Sequence, residues 1–131
     1  MPESTDEFRY PVVALPDSAM SPDAIVKFLV EHLVKLGRLQ SKLADQVVCQ
    51  VLRRESQGST NVGRGFALPH SKSNAVKEVL GVFGRSTIPV AWPGPADSEP
   101  VHVVCLLVTP AYEPETCLRA LETVAKHLRS Q

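Results

Sequence analysis

The chain has 131 residues, 44% of them hydrophobic, which suits one ordinary domain with a single core and leaves too little chain for a second. Fourteen Lys and Arg balance 14 Asp and Glu, so no overall field draws the protein to nucleic acid or an acidic membrane, and any anion site must be local. No stretch approaches the length of a spanning helix, "MPESTDEFRYPVV" lacks the apolar core of a secretory signal, and the irregularly spaced Cys49, Cys105 and Cys117 form no C-x-x-C pair, so a reduced, cytoplasmic setting is expected.

Residues 1–9 read as a polar extension and 10–131 as the domain. "YPVVAL" has the make-up of a short edge strand. In "SAMSPDAIVKFLVEHLVKLGRL" a helix is signalled by Ser21 as N-cap, Pro22 at the first helical position and Asp23 in the first turn. Its apolar stripe runs through Ile25, Phe28, Leu29, Leu33 (or His32) and Leu36, and Gly37 is placed to end it. "SKLADQVVCQVLRRESQG" predicts a second helix, with Leu43, Val47 and Val51 on one stripe, widened by Ala44, Val48 and Leu52, and Gly58 closing it. "EVLGVFGRS" and "EPVHVVCLLVTP" read as strands, the second apolar enough to be central, and "TIPVAWPGPADSEP" as a loop with an edge-like fragment at Val90 to Trp92. The last helix, "PETCLRALETVAKHLRSQ", opens on Pro114 and carries Leu118, Leu121, Ala125 and Leu128 on one face. This order implies an α/β domain, a mixed β-sheet flanked by helices.

The segment "STNVGRGFALPH" concentrates unusual chemistry. Gly63 and Gly65 permit positive φ and close backbone approach, which exposes amides able to cradle an anion, and Arg64 adds charge. Pro69 stiffens the chain into His70 and so aims the imidazole, whose neutral form can attack phosphorus. Phosphoryl transfer needs positioning and charge neutralisation around such a nucleophile, and Arg54, Ser59 and Thr60 stand shortly upstream. A structural hairpin ahead of a histidine accounts for the same glycines.

The run "RRESQGSTNVGRGFALPH", followed by "VLGVFGRS", "PVHVVCLLVTP" and "CLRALETVAKHL", resembles the enzyme IIA domain of the fructose and mannitol type in the bacterial phosphoenolpyruvate-dependent phosphotransferase system, a family that includes nitrogen-regulatory IIA proteins. The resemblance implies the sandwich fold of that family. It also implies that His70 accepts a phosphoryl group from a histidine-containing phosphocarrier protein, that Arg54 steadies that group, and that Ser59, Thr60, Gly63 and Gly65 form the loop between them. Neither cofactor nor metal is implied. Onward transfer to a sugar-transporter IIB component, or binding of a regulatory target, is the implied output; a degenerate module that binds partners without phosphotransfer is the alternative.

Where sugar-transport members carry a second active-site histidine, in a pattern like P-x-x-x-x-x-H-L-x-x-L, this chain reads "PAYEPETCLRAL" and places Cys117. A thiol is a poorer hydrogen-bond partner for phosphoryl oxygens than an imidazole. In the first helical turn Cys117 reads either as a redox-sensitive thiol or, more simply, as a small packing residue. Family members commonly continue beyond "HLRSQ", which gives the expectation of an apolar surface there. His102 and Cys105, three apart on a strand, point to opposite faces and share no metal, and no three residues have metal-ligand spacing. His32 and His127 fall on separate helices. "LRRE", with Glu55 beside the arginines, is no nucleic-acid patch, and Trp92 reads as an anchor for the Pro-rich loop.

Overall fold

A computed structural model describes residues 10–16, 18, 20–94, 99–112 and 114–129, without the side chains at 114, 117 and 127–129. The expectations for residues 1–9, and for the side chains of Cys117, His127 and Leu128, lie outside that description. The elements in chain order are β1 (Val12–Ala14), α1 (Pro22–Lys35), a 3-10 turn (Ser41–Leu43), α2 (Ala44–Ser56), β2 (Phe66–Ala67), β3 (His70–Ser73), β4 (Leu80–Val90), β5 (Val101–Pro110) and α3 (Pro114–Arg129).

β5 organises the sheet. On one side it pairs antiparallel with β4, which pairs parallel with β1; on the other it takes β2 and β3 in succession, both parallel. Val104, Leu106 and Val108 face the core with α1 and α2, whereas Cys105 and Leu107 meet α3 on the opposite face. A strand covered on both faces cannot alternate in polarity, which is why its sequence is almost continuously apolar. Burial pushes the Cys105 thiol pKa up, so it is a packing group, while His102 is exposed.

α1 starts and stops where its end signals put it. The Ala24 N–H donates to Ser21 Oγ (3.1 Å), and the helix closes with Gly37 at φ 77°, where the Gly37 N–H bonds Val34 O (2.9 Å) and the Arg38 N–H bonds Leu33 O (3.0 Å). Ile25, Val26, Leu29, Val30 and Leu33 are buried, each such aliphatic side chain contributing roughly 1.5–3 kcal/mol. Gly84 lets this helix settle on the sheet: a Cβ there would lie 2.9 Å from Leu15 Cδ2 and 3.0 Å from Leu29 Cδ2.

Three local expectations are corrected. The second helix does not begin at Ser41, because residues 41–43 form a tighter 3-10 turn before α2. Residues 87–89 belong to β4 rather than a loop, and the edge-like fragment expected at Val90 to Trp92 is in strand only at Val90; the pairing with β5 shifts register between Arg85 and Val90, so Pro89 costs no ladder bond. In α3 the inward face is carried by Ala120, Leu121 and Val124, packed in one cluster with Leu68, Phe83, Cys105 and Leu107, and Leu118 is left 60% exposed.

Candidate functional site

The site is assembled where α2 ends and the broken edge of the sheet begins. The last turn of α2 closes with the Gly58 N–H on Glu55 O (3.2 Å), while Arg54 Nη1 donates to the Gly58 carbonyl (2.9 Å). The chain then forms a narrow hairpin: the Val62 N–H bonds Phe66 O (3.1 Å), Asn61 and Ala67 form an antiparallel bridge, and the Leu68 N–H bonds Thr60 O (3.1 Å). Gly63 and Gly65 take φ 83° and 88°, values that a side chain rarely adopts. The Gly63 N–H donates to Asn61 Oδ1 (2.8 Å), and the Gly65 carbonyl accepts from the amides of His102 (3.0 Å) and Val103 (3.3 Å).

The hairpin delivers Leu68 and Pro69 to the edge of β5, where the Leu107 N–H bonds Pro69 O (3.0 Å). His70 is the next residue, the first of β3, in register with Leu107. Its Nδ1 lies 2.7 Å from Leu68 O. A carbonyl only accepts, so Nδ1 carries the proton and Nε2 keeps a free lone pair. Burial lowers the His70 pKa below the usual 6.5; the Leu68 bond opposes this, the Arg54 charge adds to it and the Glu55 charge opposes it. The neutral, nucleophilic form therefore prevails at neutral pH.

An open cleft of about 420 Å³ lies in front of the histidine, lined by Gln50, Arg53 and Arg54 from α2, by Gln57 that caps this helix, and by His70, Ser71 and Lys72 from β3. The first four sit at i, i+3, i+4 and i+7, one polar face of α2 and its cap turned towards β3. Gln50 Oε1 is buried there with no hydrogen-bond partner among the described residues.

Of the residues singled out in the sequence, His70 and Arg54 share this cleft. Ser59 and Thr60 are committed elsewhere: Ser59 Oγ donates to Pro93 O, and Thr60 is held by Glu55, which accepts from the Thr60 amide (2.9 Å) and hydroxyl (2.6 Å). Glu55 also takes the Trp92 indole N–H (3.0 Å), so one carboxylate ties the hairpin and the Pro-rich loop to α2. Trp92 is buried as an anchor. Cys117 falls in the first turns of α3, its side chain outside the description. Among the described residues no group of three or more His, Cys, Asp or Glu could hold a metal, and no helix is long and apolar enough to cross a membrane.

The profile of the family described as "Phosphoenolpyruvate-dependent sugar phosphotransferase system, EIIA 2" matches residues 8–131. The chain belongs to this family. Among EIIA 2 relatives, the nitrogen regulatory protein of Klebsiella oxytoca is 36% identical over 104 residues, covering 78% of this chain and 64% of that protein. The 2-O-alpha-mannosyl-D-glycerate-specific EIIABC component of Escherichia coli K12 is 36% identical over 96 residues, 73% of this chain and 14% of that protein. The chain thus spans less than two thirds of the length of these relatives. The crystal structure of nitrogen regulatory protein IIA-Ntr from Neisseria meningitidis superposes with a TM-score of 0.76 at 27% identity, over 93% of this chain and 79% of that one. The mixed sheet flanked by helices is accordingly an EIIA 2 fold.

Proposed function

We propose that this EIIA 2 protein accepts a phosphoryl group on His70 Nε2 from the phosphohistidine of a carrier protein. The observation that carries the reading is the Nδ1–H to Leu68 O bond at 2.7 Å, which leaves Nε2 unprotonated on a ring that lines the cleft. In the transfer, the Nε2 lone pair forms a new N–P bond as the donor's N–P bond breaks and its electron pair returns to the donor ring. The His70 ring gains positive charge in this step, and the Leu68 carbonyl stabilises it. Arg54 offsets negative charge on the phosphoryl oxygens with the guanidinium N–H groups not used on Gly58, and the hairpin from Ser59 to Gly65 keeps the nucleophile on the sheet edge. Transfer from nitrogen to nitrogen uses no cofactor.

The likeness to nitrogen regulatory proteins favours a regulatory output, in which the phosphorylation state of His70 sets the binding of a target, over relay to a IIB component. The test is intact-mass spectrometry at neutral to alkaline pH after incubation with phosphoenolpyruvate, the general phosphotransferase enzyme and the carrier, for wild type and His70→Ala. One phosphoryl group on wild type and none on the variant is the expected result. No addition to wild type would leave the fold as a binding module.

A further inference from the structure

Gln46, Gln50 and Arg54 stand one turn apart along a single stripe of α2. The outer two are tied down: Gln46 Nε2 donates to Asn74 Oδ1 just past β3 (3.0 Å), and Arg54 Nη1 donates to Gly58 O (2.9 Å). Gln50, between them, lines the His70 cleft and is half-buried, and its Oε1 is buried with no hydrogen-bond partner among the described residues. The rest of the lining is accounted for differently. Ser71 Oγ donates to Lys72 O (2.9 Å), and Arg53, Gln57 and Lys72 are exposed to water.

A buried amide oxygen without a donor is costly, and turning the amide over does not remove the cost. Rotation by about half a turn around the last side-chain bond exchanges oxygen for nitrogen and leaves an N–H donor unpaired in the same place. The free site therefore holds a hydrogen-bonding group whose partner arrives only with an occupant of the cleft. A phosphoryl group on His70 Nε2 brings oxygens that accept hydrogen bonds, and the turned amide meets them through its N–H.

We propose that Gln50 is a phosphoryl-binding residue of this site, its side-chain amide donating to an oxygen of the group carried by His70. The inference rests on His70 being the acceptor. Arg54 gives the phosphoryl oxygens positive charge, and Gln50 gives them a neutral donor that is paired only as the new N–P bond forms. Its contribution is thus made in the transition state and the product, not in the free site. No bond or proton is exchanged at the amide.

The test compares wild type with Gln50→Leu, which keeps the bulk without polar atoms, and Gln50→Glu, which keeps the shape but puts an acceptor-only carboxylate where the donor was. Phosphoryl transfer is followed by intact mass from the phosphorylated histidine carrier protein and, in parallel, from phosphoramidate. In this small donor the N–P bond breaks as the Nε2–P bond forms, and its nitrogen leaves as ammonia. Urea denaturation of the unphosphorylated proteins reads the fold. Gln50→Leu is expected to slow transfer about 10-fold and Gln50→Glu about 10- to 100-fold, each by the same factor with both donors. Gln50→Leu should also unfold at the same urea concentration as wild type or a higher one, since it removes the unpaired oxygen.

Wild-type rates in Gln50→Leu would overturn the inference and leave the acceptor intact. A loss confined to the carrier would overturn it too, placing Gln50 in a protein contact rather than on the phosphoryl group. So would unfolding of Gln50→Leu at lower urea, which would make the amide part of the fold. A wild type that gains phosphate on His70 from neither donor would overturn the acceptor reading and the role of Gln50 together.

Discussion

The two edges of β5 are used differently. Towards β4 the strand runs an unbroken antiparallel ladder from Leu80↔Val108 to Arg85↔Val103, buried from Leu80 to Gly84 and from Val104 to Val108. Towards the other side the ladder is divided between β2 and β3, with Leu68 and Pro69 in the gap and His70 resuming it. The continuous edge stores stability. The interrupted edge gives up pairing, since Pro69 has no N–H, and gains a fixed point from which one side chain and its backbone neighbours can be aimed.

Substitutions should separate these roles. His70→Ala is expected to abolish phosphoryl acceptance while changing unfolding free energy by about 1 kcal/mol or less, read by mass spectrometry and urea denaturation together. Leu106→Ala, fully buried on the continuous edge, should cost about 2–5 kcal/mol in the same denaturation experiment, with His70 still reactive in the folded fraction. Glu55→Ala lies between: losing the acceptor shared by Thr60 and Trp92 should cost about 1–3 kcal/mol and shift the indole N–H resonance. If Leu106→Ala silenced His70 in folded protein, or His70→Ala unfolded it, the division between the edges would fail.

The smallest effects concern the proton. The folded-state pKa of His70 lies below 6.5, so the unfolded chain binds the proton more readily than the folded one. Its contribution to stability is complete above 6.5 and is lost as pH falls from there through the folded value. An NMR titration of the ring should show a midpoint below 6.5, moving up in Arg54→Gln and down in Glu55→Gln, because the two charges act with opposite sign. Shifts in the same direction would show that loop rearrangement dominates over charge.

The sequence was readable where local rules decide the outcome. Ser21, Gly37, Gly63 and Gly65 announce a cap, a helix end and two positive φ angles, and the run into His70 sets that imidazole at the start of β3. The rest of the site depends on long-range placement. Gln50, Arg53 and Gln57 look like any solvated helical face until β3 is packed opposite them, and nothing local assigns Ser59 to Pro93, 34 positions away. In the sequence Glu55 is only a charge beside two arginines, whereas its partners Thr60 and Trp92 lie 5 and 37 positions on. In α3 the period-fitting Leu118 is exposed because the sheet meets the neighbouring stripe through Val124.

The ring of His70 is wired to an optical reporter. Its Nδ1–H meets the Leu68 carbonyl, the Leu68 N–H meets the Thr60 carbonyl, the Thr60 amide and hydroxyl meet Glu55, and Glu55 meets the indole of the only tryptophan in the chain. A change of charge on the imidazole therefore perturbs, through polarised peptide groups, the field at a buried fluorophore. Under the proposal that His70 accepts a phosphoryl group, the emission of Trp92 is expected to change on phosphorylation, a label-free signal that a fluorescence titration checks.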